Sequence, residues 1–118
     1  MQIILGKENA EKISDKYVVL DLDTFLINGE EVSSYCVLDA SSIPLEEITQ
    51  LSHWVTNHNK IMENYHKQNW EFCEQMIDHC LERWGGSMKS FYAVLLARIL
   101  ELKTQDLPVN WTGVIIRF

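Results

Sequence analysis

One histidine in this chain is placed where it could act as a catalytic base. His58 falls between Val55 and Met62 on the apolar stripe of a predicted helix, so its imidazole should be at least partly buried. A buried histidine can serve as a general base or as a pH-dependent switch. No nucleophile partner for it is evident in the sequence, which therefore favours a hydrogen-bonded residue at the edge of the core.

Two aspartates near the end of an apolar strand are the second candidate for chemistry. The segment Val18-Val19-Leu20-Asp21-Leu22-Asp23-Thr24 resembles the first motif of haloacid-dehalogenase-like phosphotransferases. In that family the first aspartate attacks phosphorus, the second is the acid/base, and carboxylates hold Mg²⁺. The resemblance implies a small metal-assisted phosphohydrolase in which Asp21 is the nucleophile and Asp23 is the acid/base.

A structural interpretation of the same two aspartates competes with the catalytic one. Residues two apart in a strand point to the same face, so Asp21 and Asp23 should share the solvent face, opposite Leu20. The haloacid-dehalogenase fold also needs a crossover helix after this strand, whereas Asn28-Gly29 turns the chain straight back. The sequence favours a half-buried strand over a phosphotransfer site.

The spacing of cysteines and histidines does not predict a metal site. Cys73 and Cys80 are seven residues apart and share a helix face, but this separation is too long for both to bind one zinc ion. His53 and His58 are five residues apart and fall on different helix faces. We therefore expect both cysteines to be apolar core residues, and we predict neither a metal ion nor another cofactor.

Trp54 is the candidate binding residue. It lies beside Val55 and off the main apolar stripe of its helix. An exposed tryptophan would indicate a protein contact, because tryptophan is enriched among the residues that dominate binding energy. A tryptophan that covers the edge of the sheet fits the same position, and the sequence leaves both alternatives open.

The composition is that of one acidic globular domain spanning residues 1–118. Hydrophobic residues make up 47% of the chain and charged residues 23%, which is ordinary globular usage. The formal net charge of -7 argues against binding to nucleic acid or to an anionic membrane surface. No stretch approaches the roughly 18 apolar residues of a membrane span. Three cysteines, an odd number, fit free thiols in a reducing compartment, so we expect a cytoplasmic protein.

Hydrophobic patterns predict strands at both ends of the chain and helices between them. The predicted strands span residues 2–5, 17–27, 31–38 and 111–118. Asn28-Gly29 predicts a type I′ hairpin turn, and residues 7–14 suit a short polar helix. Longer helices should begin near residues 44, 70 and 87, the first ending near His66 and the second at Gly85-Gly86. These elements predict an α+β fold: a small, mostly antiparallel sheet of the N-terminal strand, the hairpin and the C-terminal strand, covered on one face by three helices.

Two further resemblances bear on function. Residues 65–117 are similar to the segment that follows the catalytic domain in some bacterial class III adenylate cyclases. The matching positions are Tyr65, Asn69-Trp70, Tyr92, Arg98 and Trp111-Thr112-Gly113-Val114. That segment is not catalytic in the cyclases, so the resemblance implies an accessory or interaction role. The whole chain also resembles small uncharacterised proteins of marine T4-like bacteriophages, which implies an accessory protein in infected bacterial cytoplasm.

The sequence as a whole predicts a non-enzymatic protein-binding or regulatory accessory module. Its partner would be another protein or a second copy of the chain, and we predict no nucleic-acid or membrane partner. Two alternatives stay open. One is the metal-assisted phosphohydrolase that uses Asp21 and Asp23, and the other is a small-molecule-binding domain with a pocket between sheet and helices.

Overall fold

A computed structural model describes residues 2–39, 41, 43–108 and 110–117 and confirms the α+β class. In chain order the elements are β1 (Gln2–Leu5), α1 (Lys7–Ile13), β2 (Val18–Ile27), β3 (Glu30–Leu38), α2 (Leu45–Ile48), α3 (Leu51–His66), α4 (Trp70–Cys80), α5 (Lys89–Leu102) and β4 (Ile115–Arg117). A 3₁₀ turn, Trp84–Gly86, lies between α4 and α5. None of the helices in these ranges is long and apolar enough to cross a membrane.

The hairpin between β2 and β3 forms where the sequence predicts it. Asn28 and Gly29 have φ angles of 51° and 83°, and both must be positive in a type I′ turn. The two strands therefore pair antiparallel, with Ile27 opposite Glu30. The chain returns directly after β2, without the crossover helix that a haloacid-dehalogenase fold requires.

The sheet has four strands in the order β1-β3-β2-β4. β1 is an edge strand that pairs antiparallel with β3, and β4 pairs parallel with the last residues of β2, Phe25 to Ile27. The predicted C-terminal strand therefore exists but is shorter than expected. It begins at Ile115, and residues 111–114, where the prediction starts, pair with no strand in the described part of the chain. Phe118, the last residue of the prediction, lies outside the described residues.

A β-bulge in β2 changes which side chains face the helices. The register shifts between Asp21 and Thr24, so two residues, Leu22 and Asp23, stand opposite the single residue Ser34. The hydroxyl of Ser34 donates a 2.7 Å hydrogen bond to the carbonyl oxygen of Asp23 and so satisfies the bulged backbone. The extra residue shifts the alternation of the strand, which leaves Leu22 and Asp23 on the helix side and Asp21 on the other. The shared solvent face predicted for Asp21 and Asp23 is therefore wrong.

One core joins the sheet to the three long helices. Its fully buried members come from β2, β3, α3, α4, α5 and the 3₁₀ turn, and they include Leu20, Cys36, His58, Ile61, Tyr65, Cys73, Ile77, Trp84, Tyr92, Leu95 and Ile99. The short helix α1 lies against the opposite face, where Ala10 approaches Val19 and Tyr35. The prediction of three helices on one face is confirmed for the long helices, and α1 adds a partial cover to the other.

The predicted helix over residues 44–66 is two helices. α2 ends at Ile48, and α3 begins at Leu51 after Gln50, whose φ of -112° and ψ of 15° are not helical. Leu45 is 80% exposed and Ile48 is 40% exposed, so the apolar residues of α2 do not extend the buried stripe of α3. Because α2 contributes no buried side chain to the core, packing does not hold it in line with α3.

The ends of the next two helices also differ from the prediction. α4 stops at Cys80, and Trp84 enters the core through the 3₁₀ turn with a φ of 61° rather than as the last residue of the helix. Met88, which is fully buried, occupies the N-cap position of α5, so this helix begins at Lys89, two residues after the predicted start near residue 87. At both ends, burial of a large apolar side chain determines the backbone path.

Candidate functional site

His58 is fully buried and uses both ring nitrogens in hydrogen bonds. Its Nε2 lies 2.6 Å from the main-chain oxygen of Asp21, and its Nδ1 lies 2.7 Å from the hydroxyl of Tyr92. A carbonyl oxygen can only accept, so Nε2–H donates to Asp21 and the Tyr92 hydroxyl donates to Nδ1. These partners assign the neutral imidazole with its proton on Nε2.

The position of His58 follows from the short length of β4. Because β4 pairs only with Phe25 to Ile27, no strand among the described residues lies on that side of β2 around Asp21. A buried carbonyl needs a donor, and His58 supplies it from α3. The imidazole thereby connects β2, α3 and α5.

Burial keeps His58 neutral. It lowers the pKa of His58, although the hydrogen bond to the Asp21 carbonyl and the charge of Asp21 act in the opposite direction. Burial likewise raises the pKa of Tyr92, so the phenol stays protonated. Since neither nitrogen is free to accept a proton from a substrate, His58 has the hydrogen-bonded structural role that the sequence favours over a catalytic base.

Asp23 is held by Arg98 across the interface between β2 and α5. Nη1 of Arg98 lies 2.7 Å from Oδ1, and Nη2 lies 3.2 Å from Oδ2, which makes the pair bidentate. The Asp23 side chain is 12% exposed and that of Arg98 is 24% exposed. Nη1 is also 3.5 Å from the hydroxyl of Tyr65. A carboxylate with both oxygens bound to a guanidinium is not available as a general acid or base.

The electrostatics of this pair favour the charged guanidinium. Burial by itself would lower the pKa of Arg98. The hydrogen bonds to Asp23 and Tyr65, together with the negative charge of Asp23, outweigh that effect, and the net shift of the Arg98 pKa is upward. The ion pair is a fixed part of the fold.

Asp21 is exposed and borders a small polar cavity away from Arg98. The cavity has a volume of about 230 Å³, and its lining includes Thr24, Tyr35, Glu63 and His66. Small-molecule sites usually measure roughly 300 to 1,000 Å³, so this one is below the ordinary size. Within the described ranges, no three His, Cys, Asp or Glu side chains come together as metal ligands. The bulge separates Asp21 from Asp23, and the phosphohydrolase interpretation stays a prediction without a shared site.

All three cysteines are buried free thiols. Burial raises the pKa of Cys36, Cys73 and Cys80 to about 11, so each thiol is protonated and unreactive at neutral pH. The prediction that Cys73 and Cys80 are apolar core residues is confirmed.

Trp54 is buried, with 8% of its surface exposed. The guanidinium carbon of Arg83 lies 4.2 Å from the centre of its ring, a cation–π geometry, and His53 contacts it edge-on. The alternative of an exposed binding residue is therefore wrong. Trp54 belongs to the core cluster, and the guanidinium of Arg83 covers its ring.

Three aromatic rings meet where α3 turns into α4. Tyr65, Trp70 and Trp111 form a triangle with centroid distances of 5.5 to 5.7 Å and edge-to-face angles. They bring the segment before β4 onto the end of α3, where Nδ1–H of His66 donates to the Thr112 carbonyl at 2.7 Å. Several positions that carry the cyclase resemblance thus lie together in this chain, where they anchor the C-terminal segment.

Known proteins give no further guidance. No family model, curated protein or solved structure matches this chain. The cyclase-segment and phage-protein resemblances therefore stay predictions, and function has to be argued from the geometry.

Gly113 permits the close approach of the C-terminal segment to α3, and this gives a testable prediction. Its φ is 79°, and a Cβ there would lie 2.9 Å from Nδ1 of His66 and 3.1 Å from a ring carbon of Tyr65. Gly29 has a similar φ of 83° with nothing near it. Gly29→Ala should cost about 1 to 2 kcal/mol for the backbone conformation alone. Gly113→Ala should cost about 1 to 3 kcal/mol more, because the methyl group is also overpacked.

Urea denaturation of the two variants measures this difference directly. Equal losses of stability in Gly113→Ala and Gly29→Ala would show that the segment before β4 does not pack on α3 as described.

The surface feature that the sequence analysis missed is an apolar patch beside β1. Ile3 and Leu5 lie on the helix side of the sheet, opposite Cys36 and Ser34, yet they are 52% and 51% exposed. They border a groove of about 290 Å³ together with α5, where Val94 is 57% exposed. We call Ile3, Leu5, Phe25, Phe91 and Val94 the β1 patch. The apolar residues on both faces of β1 were the signal available in the sequence. They did not reveal the patch, because its exposure depends on β1 being an edge strand and therefore on the strand order.

Proposed function

We propose that this chain is a protein-binding module that associates with a second copy of itself through β1. The observation that carries the proposal is the exposed edge strand β1 with the apolar β1 patch beside it. The proposal agrees with the accessory role implied by the cyclase-segment and phage-protein resemblances.

β1 carries none of the charged or proline residues that commonly protect an edge strand from pairing with another strand. An edge strand presents unpaired N–H and C=O groups, and proteins commonly shield such edges with lysine, proline or a covering loop. The four residues Gln2–Leu5 include no charged residue and no proline. Within the described residues, β1 pairs with β3 alone. Its outer edge is therefore suited to strand addition, in which main-chain hydrogen bonds bind an extended partner.

Charge distribution favours a second copy as the partner. A two-fold interface must be complementary to itself, and a strongly charged patch is not. The chain carries a net charge of -7, so most of its surface repels another copy. Among the described residues that line the groove, Asp23 alone is charged, and Arg98 neutralises it. The β1 patch is thus a neutral area on an acidic protein.

The proposed dimer pairs β1 antiparallel with β1 of the other copy across a two-fold axis. This arrangement joins two four-stranded sheets and places Ile3 and Leu5 of both copies on the same side, against the α5 helices. Because β1 has only four residues, we expect a small interface and a weak, concentration-dependent dimer.

Ile3→Lys and Leu5→Lys should abolish the dimer, since each places a charge in the β1 patch. Leu45→Lys is the matched control: Leu45 is 80% exposed on α2, does not line the groove of the β1 patch, and takes the same change from apolar to charged. Sedimentation velocity over a wide dilution series should show a monomer–dimer equilibrium for the wild type and for Leu45→Lys, and monomers for the two β1 variants.

Hydrogen exchange supplies the strand-level readout. The amides of Gln2–Leu5 should become protected as the protein concentration rises, and those of α2 should not. A wild-type chain that stays monomeric at the highest accessible concentration contradicts the proposal, as does a dimer that survives both β1 substitutions.

A further inference from the structure

A second apolar groove, of about 520 Å³, lies between α4 and α5. Ile77 and Leu81 line the α4 side, and Ala93, Leu96 and Leu100 line the α5 side. The three α5 residues are spaced by three and four, so they form one stripe along the helix. Leu100 is 52% exposed even though it is a large apolar residue. The groove is separate from the β1 patch, to which α5 contributes Phe91 and Val94 instead.

The α4 rim of this groove is acidic. Glu74 and Asp78 line the groove and are four residues apart, which places their carboxylates on one side of α4, and α4 contains no lysine or arginine. Lys103 binds Glu74 at 3.0 and 3.2 Å near one end of the groove. Asp78 is exposed and makes no ion pair or hydrogen bond with any residue in the described ranges. A carboxylate without an ion-pair partner among the described residues therefore borders the same groove as the exposed Leu100.

We propose that the groove between α4 and α5 binds a cationic amphipathic helix of another protein. A helix that lays an apolar stripe into a groove is a recurrent mode of peptide recognition. Lysine or arginine on the flank of such a helix would lie over Asp78, and complementary charges on facing surfaces direct partner choice. On the α4 side the groove is lined from Glu74 to Leu81, which gives a length of about 12 Å, enough for about two turns of a partner helix.

A second copy of this chain does not fit the same groove. No helix in the described ranges combines an exposed apolar stripe with several lysine or arginine residues, and α4 itself would bring acidic residues to an acidic rim. Like charges facing each other across an interface oppose binding. The partner inferred for this groove is therefore a different protein, and this inference stands independently of self-association through β1.

Fluorescence anisotropy with designed peptides tests the inference. The probe is a labelled helical peptide of Leu, Ala and Lys, with leucines spaced by three and four and lysines flanking them. One comparison peptide replaces each Lys with Glu, and another has the same composition in scrambled order. The Lys peptide should bind saturably, while the Glu and scrambled peptides should not.

Variants of the protein locate the binding surface. Asp78→Lys should weaken binding of the Lys peptide by roughly three- to tenfold. Leu100→Glu should weaken it by more than about tenfold, because it places a charge in the apolar contact. Glu31→Lys is the matched control: Glu31 is exposed on the hairpin and makes the same change in net charge. Circular dichroism should show that all three variants keep the wild-type helix content.

Three outcomes would overturn the inference. They are failure of the Lys peptide to bind, equal binding of the scrambled peptide, and equal weakening by Asp78→Lys and Glu31→Lys. The Ile3→Lys protein, in which self-association is disrupted, should bind the Lys peptide as the wild type does. Loss of binding in that variant would mean that the groove does not act independently of the dimer.

Discussion

His58→Leu should lower the free energy of unfolding by about 2 to 4 kcal/mol. The substitution places an apolar side chain of similar size in the core, but it leaves the Asp21 carbonyl without the His58 donor and the Tyr92 hydroxyl without the His58 acceptor. Each unsatisfied buried group costs about 1 to 3 kcal/mol. Urea denaturation at neutral pH measures the loss. Tyr92→Phe removes only the hydroxyl and should lower the free energy of unfolding by less. When His58→Leu and Tyr92→Phe are combined, the loss should be smaller than the sum of the two single losses, because the Tyr92 hydroxyl is no longer present as an unsatisfied group.

The same histidine should make the protein sensitive to mild acid. Burial lowers the pKa of His58 in the folded state, so the unfolded chain binds a proton at higher pH than the folded chain does. The stabilisation that the neutral His58 gives the folded state is fully present above the unfolded pKa of about 6.5. As the pH falls below that value, the free energy of unfolding decreases by at most about 1.4 kcal/mol per pH unit. His58→Leu should remove this part of the slope. Parallel stability curves for wild type and variant below pH 6.5 would be inconsistent with a neutral buried imidazole.

Arg98→Met should destabilise the fold by about 2 to 4 kcal/mol. It leaves the carboxylate of Asp23, which is 12% exposed, without its guanidinium partner between β2 and α5. Breaking one side of a buried pair is costly, whereas replacing both partners by apolar residues is often close to neutral. Asp23→Leu combined with Arg98→Met should therefore recover most of the stability, as measured in a double-mutant cycle by urea denaturation.

A surface ion pair provides the control for this cycle. Lys67 and Glu63 form an ion pair on α3 at 2.9 Å, with side chains that are 62% and 60% exposed. Solvent screens such pairs, so Lys67→Met should change stability little. If Arg98→Met costs no more than Lys67→Met, the pair between Asp23 and Arg98 does not hold β2 to α5.

The parts of the fold that depend on local chemistry could be predicted from the sequence. Asn28-Gly29 specifies a type I′ turn through the φ angles that these residues tolerate, and the turn fixes the pairing of β2 with β3. Helix periodicity placed His58 on the buried side of α3, and the structure shows that it is fully buried. Local patterns report on such features because the neighbouring residues determine them.

The arrangement of the candidate site could not be predicted in this way. Strand alternation has a period of two, and nothing between Asp21 and Thr24 marks the point at which the bulge shifts it. The bulged conformation is stabilised by Arg98, which binds Asp23 from 75 residues away. The exposure of Ile3 depends on β1 being an edge strand, and strand order follows from contacts of the whole domain rather than from the β1 residues.

The imidazole of His58 also affects how the domain unfolds. Its two hydrogen bonds reach 37 residues back along the chain to Asp21 and 34 residues forward to Tyr92. Separation of the hairpin from α3 breaks the hydrogen bond between His58 and Asp21, and separation of α5 from the core breaks the one between His58 and Tyr92. Either movement leaves the same buried ring without one of its partners. Local opening at either end therefore breaks a hydrogen bond of the same buried ring, and this shared cost couples the opening of the sheet to that of the last helix.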